Sequence, residues 1–328
     1  MNERAVIAAF GAGRMGRGIA HVFAYAGFPV RLIDSKARPV EAFAQFAAQA
    51  RSDIEQNLHT LATSGLFEAS AIPTLLARIE ILPLEQASAG LSEARFVFEG
   101  VPEVMPAKQS ALQLIGKFAA EDVIIASTTS TFLVNLLAKM VRKPQRFLNA
   151  HWLNPAYLIP LVELSPGQQT DKQRVAELKT LLETIGKVPV VCSASPGYIV
   201  PRIQALAMNE AARLVEEGVA SAEDIDKAIR YGFGIRFAAM GLLEFIDWGG
   251  GDILFYASRY LRDAVASERF STPEIIERNM QEGRLGLRTG QGFYSYPKQE
   301  LEAYQQAKLT EFTALLQHFG ALHPPILE

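Results

Sequence analysis

Two groups of residues in this chain have the types and spacing to do chemistry. The first is Gly11-Ala12-Gly13-Arg14-Met15-Gly16, a G-x-G-x-x-G run that follows a short apolar stretch and opens a helical pattern, with Asp34 closing the next apolar stretch. Gly11 permits a tight turn, Gly13 lets backbone approach a pyrophosphate at the helix N-terminus, and Gly16 lets the helix pack closely. Asp34 would accept hydrogen bonds from ribose hydroxyls and repel a 2′-phosphate. The expectation is a dinucleotide site built from Gly11, Gly13, Arg14, Met15, Gly16 and Asp34, for NAD in preference to NADP. Lys36 and Arg38, just beyond the acid, work against that preference.

The second group is Ser130, His151, Asn154 and Glu163, in which His151 follows Ser130 by 21 residues and Glu163 follows His151 by 12. Converting a hydroxyl to a ketone requires a base beside the hydroxyl. Imidazole as a residue type titrates near neutrality, and a carboxylate on its far nitrogen would fix its tautomer and stabilise the imidazolium. Taken alone, a histidine beside Trp152 is more often packing than catalysis, and Asn154-Pro155 more often just a turn.

The elements that must position these residues are legible in the pattern. At 328 residues the chain is long enough for two domains. Short apolar runs at Ala5–Phe10, Pro29–Ile33, Arg95–Glu99, Val123–Ser127, Arg146–Asn149 and Val188–Val191 read as strands. Between them, Arg14–Ala26, Pro39 to about Thr63, Met105–Ala119 and Lys172–Ile185 have helical periodicity. Gly27 and Gly186 follow where helix C-termini favour a left-handed residue. This alternation predicts an α/β domain with a parallel, Rossmann-type sheet over residues 1–192. The second constellation then falls after the fourth strand and around the fifth, where the C-terminal strand ends face a ligand crevice. After Cys192 the strand signal stops, and Ser193-Ala194-Ser195-Pro196-Gly197 reads as a hinge into an all-α domain over residues 193–328. Its first helix is expected at Tyr198–Glu217, its second after Ser221, which has capping-box spacing with Asp224, with glycine turns at Gly232–Gly234 and Gly249–Gly251.

Composition narrows the partners. Hydrophobic residues at 49% and charged residues at 20% describe an ordinary globular chain. The 32 Lys+Arg against 35 Asp+Glu give a net charge of −3, which supplies no footprint for nucleic acid or an anionic membrane surface. One cysteine, Cys192, rules out an internal disulfide and a zinc cluster and suits a reducing compartment; no metal is expected. No signal peptide or spanning segment is read, so the expectation is a soluble cytoplasmic protein.

Longer motifs carry a family resemblance. Asn149-Ala150-His151-Trp152-Leu153-Asn154-Pro155 with Leu161-Val162-Glu163, Glu99-Gly100-Val101-Pro102-Glu103 with Lys108, Ser127-Thr128-Thr129-Ser130-Thr131, and the tail Gly286-Leu287-Arg288-Thr289-Gly290-Gln291-Gly292-Phe293-Tyr294 together resemble the L-3-hydroxyacyl-CoA dehydrogenase family over nearly the whole chain. The resemblance implies a Rossmann-type domain followed by a helical domain like the C-terminal domain of 6-phosphogluconate dehydrogenase. It implies His151 as general base, Glu163 as its orienting partner, Ser130 and Asn154 as ligands of the reacting oxygen, and Glu103 and Lys108 near the nicotinamide end of NAD. It also implies a homodimer through the helical half, and Tyr198–Glu217 agrees, with Ile199, Ile203, Leu206, Leu214 and Val215 spread over more than one face. One departure is Pro201, where the family carries Asn before the arginine of its Pro-Gly-aromatic motif; a side-chain contact is lost there.

Within the family, Asn154–Glu163 and Gly234-Ile235-Arg236-Phe237-Ala238 look closest to the branch of lambda-crystallin (L-gulonate 3-dehydrogenase) and L-carnitine dehydrogenase, which oxidise free 3-hydroxy acids. The segment Leu61 to Ala77 contains no Lys or Arg to meet CoA phosphates. The expectation is NAD-dependent oxidation of a small 3-hydroxy acid or 3-hydroxyacyl-CoA, with Arg236 on a substrate carboxylate. The alternatives are a true 3-hydroxybutyryl-CoA dehydrogenase and a crystallin-like NAD-binding structural protein with weakened catalysis.

Overall fold

The apolar runs of the first half join into one eight-stranded sheet in the order β3-β2-β1-β4-β5-β6-β7-β8. The computed structural model describes residues 4–326. The strands are β1 (Val6–Phe10), β2 (Val30–Ile33), β3 (Ile79–Leu82), β4 (Ala94–Glu99), β5 (Ile124–Ser127), β6 (Phe147–Trp152), β7 (Leu161–Pro166) and β8 (Val188–Val191). Neighbours pair in parallel except β6 with β7, which are antiparallel. Helices α1 (Arg14–Tyr25), α2 (Val40–Thr63), α3 (Ile72–Leu76), α4 (Ala87–Ser92), α5 (Met105–Phe118), α6 (Val134–Ala138) and α7 (Lys172–Thr184) cover it. Strands covered on both faces must be apolar on both, which is why β1 reads as a continuous run. Alternation along β1 sends Ile7 and Ala9 into one core with Ile19, Phe23 and Leu182, and Ala8 and Phe10 into another with Leu112, Ile115 and Phe147.

Several expectations are corrected here. The sequence reading lacks β3 and β7. Ile79-Glu80-Ile81-Leu82 is only four residues and follows α3 almost directly, while Leu161–Pro166 lies just beyond Pro160 and only eight residues after β6. The fifth expected strand begins at Phe147, not Arg146, and continues to Trp152, so it carries His151 itself. Gly27 and Gly186 have the left-handed φ expected of them, 90° and 78°.

Two compact units divide the described chain, the first reaching Ala207 and the second beginning at Met208. The division falls inside α8 (Val200–Glu216) rather than at the Cys192 boundary. The start of that helix is bonded to the sheet domain: the amides of Ile199 and Val200 both donate to Glu163.

The second unit continues with α9 (Ala222–Ala228), α10 (Ile235–Ala239), α11 (Leu242–Gly249), α12 (Gly251–Val265), α13 (Glu274–Gln281) and α14 (Lys298–His318). Ser221 caps α9 by accepting the Asp224 amide at 3.1 Å. The turn expected at Gly232–Gly234 is instead a π-helical winding, Ile229–Gly234, that carries α9 into α10 with helical backbone at Gly234. The break expected at Gly249–Gly251 is present, with Gly250 at φ 105°. Buried Asp247 accepts the amides of Phe293 and Tyr294 at 3.0 and 2.9 Å and the Tyr296 hydroxyl at 3.1 Å, which fastens the glycine-rich tail to α11.

Candidate active site

The sheet order reverses direction at β1, and there the turns after β1 and β4 meet. The Gly100 amide donates to the Phe10 carbonyl at 2.8 Å, and a β-carbon on Gly11 would lie 2.7 Å from the Gly100 carbonyl oxygen. Ligands of open α/β sheets bind in this crevice. Gly13 precedes the first residue of α1, and a β-carbon built on it meets nothing within 4 Å. The space beside Gly13 is thus open at the helix start, where free amides suit a dinucleotide pyrophosphate. Arg14 is exposed beside it, whereas Met15 is half-buried against the core.

Asp34 is buried at the end of β2 and is more heavily engaged than a free ribose acceptor. Its Oδ1 accepts the Lys36 amide at 3.1 Å and its Oδ2 takes the Arg38 guanidinium at 2.5 Å. Arg38 in turn lies over the Phe46 ring. Arg38 thus acts on the acid directly, pinning it in place.

His151 and Glu163 are directly opposite each other in the antiparallel register of β6 and β7, with Nδ1 and Oε2 2.8 Å apart. The sequence spacing of 12 is the length of the hairpin that brings them face to face. Glu163 is fully buried, and its other oxygen accepts the Ile199 and Val200 amides at 2.9 Å each. A carboxylate so placed needs such partners, and the positive end of α8 supplies them. With Glu163 accepting at Nδ1, Nε2 is the basic nitrogen of the neutral ring.

Ser130 is exposed on the loop after β5, and Glu103 organises that loop. Its Oε1 accepts the Thr129 hydroxyl, the Ser130 amide at 3.0 Å and the Thr131 amide at 2.9 Å. Burial would raise the Glu103 carboxyl, but the Thr129 hydroxyl, the Lys108 ammonium and the Thr131 amide together hold it below the usual carboxylate range. Lys108 is neither a solvated lysine nor a group on an open cofactor surface. Its ammonium is enclosed, 3.1 and 3.2 Å from the Glu99 oxygens and 3.2 Å from Glu103. Glu99 also accepts the Val101 amide and the Ser127 hydroxyl at 2.8 and 2.6 Å.

Asn154 is exposed on the loop between β6 and β7 and lines a cleft of about 530 Å³ together with Gly13, Arg14, Arg17, Asp53 and Tyr157. That cleft runs from the glycine turn to the loop following His151. Lys187 holds the loop from behind, donating to the carbonyls of Ala156 and Ile159 at 2.6 and 2.7 Å. Arg236 belongs to the second unit, exposed on α10, with Nε bonded to the Gly232 carbonyl and its guanidinium over Phe245. The sequence reading assigns no role to Glu99, Asn149, Tyr198 or Lys187. The signal for Glu99 is an acid ending the apolar run Phe96-Val97-Phe98, and for Tyr198 an aromatic directly after Pro-Gly.

Comparison with known proteins identifies the family of the chain. The profile of the 3-hydroxyacyl-CoA dehydrogenase NAD-binding domain matches residues 6–195, and that of the C-terminal domain of the same enzymes matches residues 197–296. A probable 3-hydroxybutyryl-CoA dehydrogenase of Deinococcus radiodurans is 31% identical over 87% of this chain and 98% of its own length. The 5-formyl-3-hydroxy-2-methylpyridine 4-carboxylate 5-dehydrogenase of Mesorhizobium japonicum is 29% identical over 94% of this chain and 96% of its own. The crystal structure of a 3-hydroxyacyl-CoA dehydrogenase from Archaeoglobus fulgidus superposes with a TM-score of 0.76 at 29% identity, covering 97% of this chain and all of that one.

Proposed function

Since the chain belongs to the 3-hydroxyacyl-CoA dehydrogenase family and is an NAD-dependent oxidoreductase, we propose that it oxidises the 3-hydroxyl of a small free 3-hydroxy acid to the ketone, reversibly, with His151 as base. The observation that carries this reading is the buried, in-register His151–Glu163 pair. NAD, when bound, accepts the hydride leaving the hydroxyl-bearing carbon. The protein's own part is the proton and the geometry. His151 Nε2 takes the hydroxyl proton, Glu163 stabilises the imidazolium that results, and Ser130 and Asn154 hold the reacting oxygen. In the reduction direction the same nitrogen returns the proton.

Two features support a compact carboxylate as substrate. Leu61 to Ala77 offers no cation to CoA phosphates. One relative is named for a pyridine carboxylate rather than a CoA thioester. The second reading, a 3-hydroxybutyryl-CoA dehydrogenase, is favoured by the relative from Deinococcus radiodurans. Pro201 fits retained catalysis, because it is the second residue of α8, where a missing amide proton leaves no intrahelical bond unmade. NADH formation measured across free 3-hydroxy acids and 3-hydroxyacyl-CoAs decides between the readings. Free acids should lead, and preferential turnover of the thioesters overturns the acid assignment.

The proposal includes a homodimer through the helical half. Ile203, Leu206, Met208 and Val215 on α8 and Ile253, Tyr256 and Tyr260 on α12 are exposed. Exposed apolar side chains on these helices are what a partner subunit would cover. A monomer by light scattering at micromolar concentration removes this part. Among the described residues no helix is long and apolar enough to cross a membrane. The reducing cytoplasm is the proposed setting, supported by the unpaired thiol of Cys192.

A further inference from the structure

Tyr198 touches both the proposed base and the loop that carries Ser130. Its ring stacks on the His151 imidazole, with centroids 4.8 Å apart and planes 12° from parallel. Its hydroxyl donates to the Thr129 carbonyl at 2.7 Å and accepts from the Asn149 side-chain amide at 3.0 Å. Thr129 is the residue before Ser130. Asn149 is on β6, two residues before His151, and its amide also donates to the Phe132 carbonyl at 2.9 Å. The two amides after Tyr198 are those that hold Glu163.

The setting is costly for a residue whose task is only to fill space. Tyr198 has left-handed backbone, φ 48°, directly after Gly197 at φ 76°. A bulky side chain rarely adopts that conformation. Its hydroxyl is buried and so must be fully bonded, and burial raises the phenol far above its usual range, which keeps it a donor. Phenylalanine would supply the same ring with no polar atom to satisfy.

Building on His151 as base and Ser130 as oxygen ligand, we propose that Tyr198 is a positioning residue that couples the two: its ring sets the plane of the imidazole, and its hydroxyl sets the Ser130 loop relative to β6. The base, its orienting carboxylate and the oxygen-binding loop come from three separate segments, and the stretch Gly197–Val200 is the one that bonds or stacks on all three.

The test separates ring from hydroxyl. Tyr198→Phe keeps the stack and the fold and removes both hydroxyl bonds. Hydrogen exchange of the Ser130–Phe132 amides should then quicken about tenfold, while the β6 amides keep their protection. In parallel, reduction of acetoacetyl-CoA by NADH and oxidation of 3-hydroxybutyrate by NAD should lose about tenfold in kcat with NADH affinity unchanged. Combining Tyr198→Phe with Ser130→Ala should cost little beyond Ser130→Ala alone. Unchanged loop exchange in Tyr198→Phe overturns the proposal, as does a double variant whose losses simply add. His151→Gln in the same assays is the control on the underlying reading: if it keeps full turnover the base assignment fails, while the exchange result still decides the link between Tyr198 and the loop.

Discussion

A β-carbon on Gly16 would lie 2.0 Å from the carbonyl oxygen of Gly11, so the first and last glycines of the turn are in direct contact. The obstacle is backbone, which cannot swing aside. Gly16→Ala should therefore lower the melting temperature and abolish measurable NADH binding together. Gly13 is the contrast, since its added β-carbon meets no protein atom within 4 Å and its φ of −77° suits any residue. Gly13→Ala should melt like the wild type yet bind NADH at least about tenfold more weakly, because the methyl stands where the pyrophosphate must approach. Fluorescence titration that finds unaltered NADH affinity in Gly13→Ala would place the cofactor elsewhere.

His151→Gln should lower kcat by about 100-fold or more while leaving NADH affinity nearly unchanged. Glu163→Gln should lose less, on the order of tenfold, if orientation is its task. An amide can still accept the Ile199 and Val200 bonds but cannot balance an imidazolium. Wild-type turnover in His151→Gln sinks the assignment.

The chemistry was more legible in the chain than the means of positioning it. Gly11, Gly13, Gly16 and Asp34 announce themselves because a turn, a helix start and a strand end are local, and the spacing alone carries the reason. His151 and Glu163 could be paired by resemblance, but not their register, since β7 was hidden behind Pro160 and antiparallel pairing at a sheet margin breaks the βαβ rhythm. Lys108 is placed near the nicotinamide by resemblance, and nothing local in the sequence marks its ammonium as enclosed, since lysine is mostly exposed. Its burial follows from Glu99, an acid ending an otherwise apolar strand, and that pairing is a tertiary event. Gly232–Gly234 reads as a turn for the same local reason that makes Gly27 one, yet neighbouring helices carry the winding through.

Asp34 is expected to select NAD through its charge, and Arg38 to limit that selection. Asp34→Ser would remove the repulsion and release the Arg38 guanidinium now bonded to it. The ratio of kcat/KM for NAD over NADP should fall towards one, chiefly by a lower KM for NADP. A wild type that already uses NADP as well as NAD would show that Arg38 or Lys36 governs the site.

His21 should make the fold sensitive to acid. It is buried on α1 with neither ring nitrogen hydrogen-bonded, stacked on Tyr157 at 4.9 Å. Burial, and then the charge of Lys187, push its imidazole down from 6.5 to about 4. A folded-state value below the unfolded one means the unfolded chain binds the proton more readily between those limits. Stability is thus full above about pH 6.5 and lost as pH falls towards 4, by about 3 kcal/mol in total from this group. His21→Phe keeps the stacked ring and removes the titration, so the fall in melting temperature between pH 7 and pH 4.5 should be visibly smaller than in the wild type. An equal fall in both proteins would locate the acid sensitivity elsewhere.

Arg236 is expected to bind the substrate carboxylate, so that free 3-hydroxy acids outperform their CoA thioesters. Its Nε is committed to the Gly232 carbonyl and its plane rests on Phe245, which holds the guanidinium in one orientation while the side chain remains exposed. That leaves its terminal nitrogens for a bidentate contact, a geometry selective for planar anions. Where bound substrate shields the guanidinium from water, removing such a contact should cost about 2 to 4 kcal/mol of substrate binding. Arg236→Met should accordingly raise KM for the acid by roughly 30-fold to 1000-fold with NADH binding barely changed. Arg236→Lys should recover only part, because an ammonium cannot make the paired contact. The alternative makes the opposite forecast. A 3-hydroxybutyryl-CoA dehydrogenase has no free carboxylate to lose, so efficient reduction of acetoacetyl-CoA that is indifferent to Arg236→Met would replace the acid reading with the thioester one.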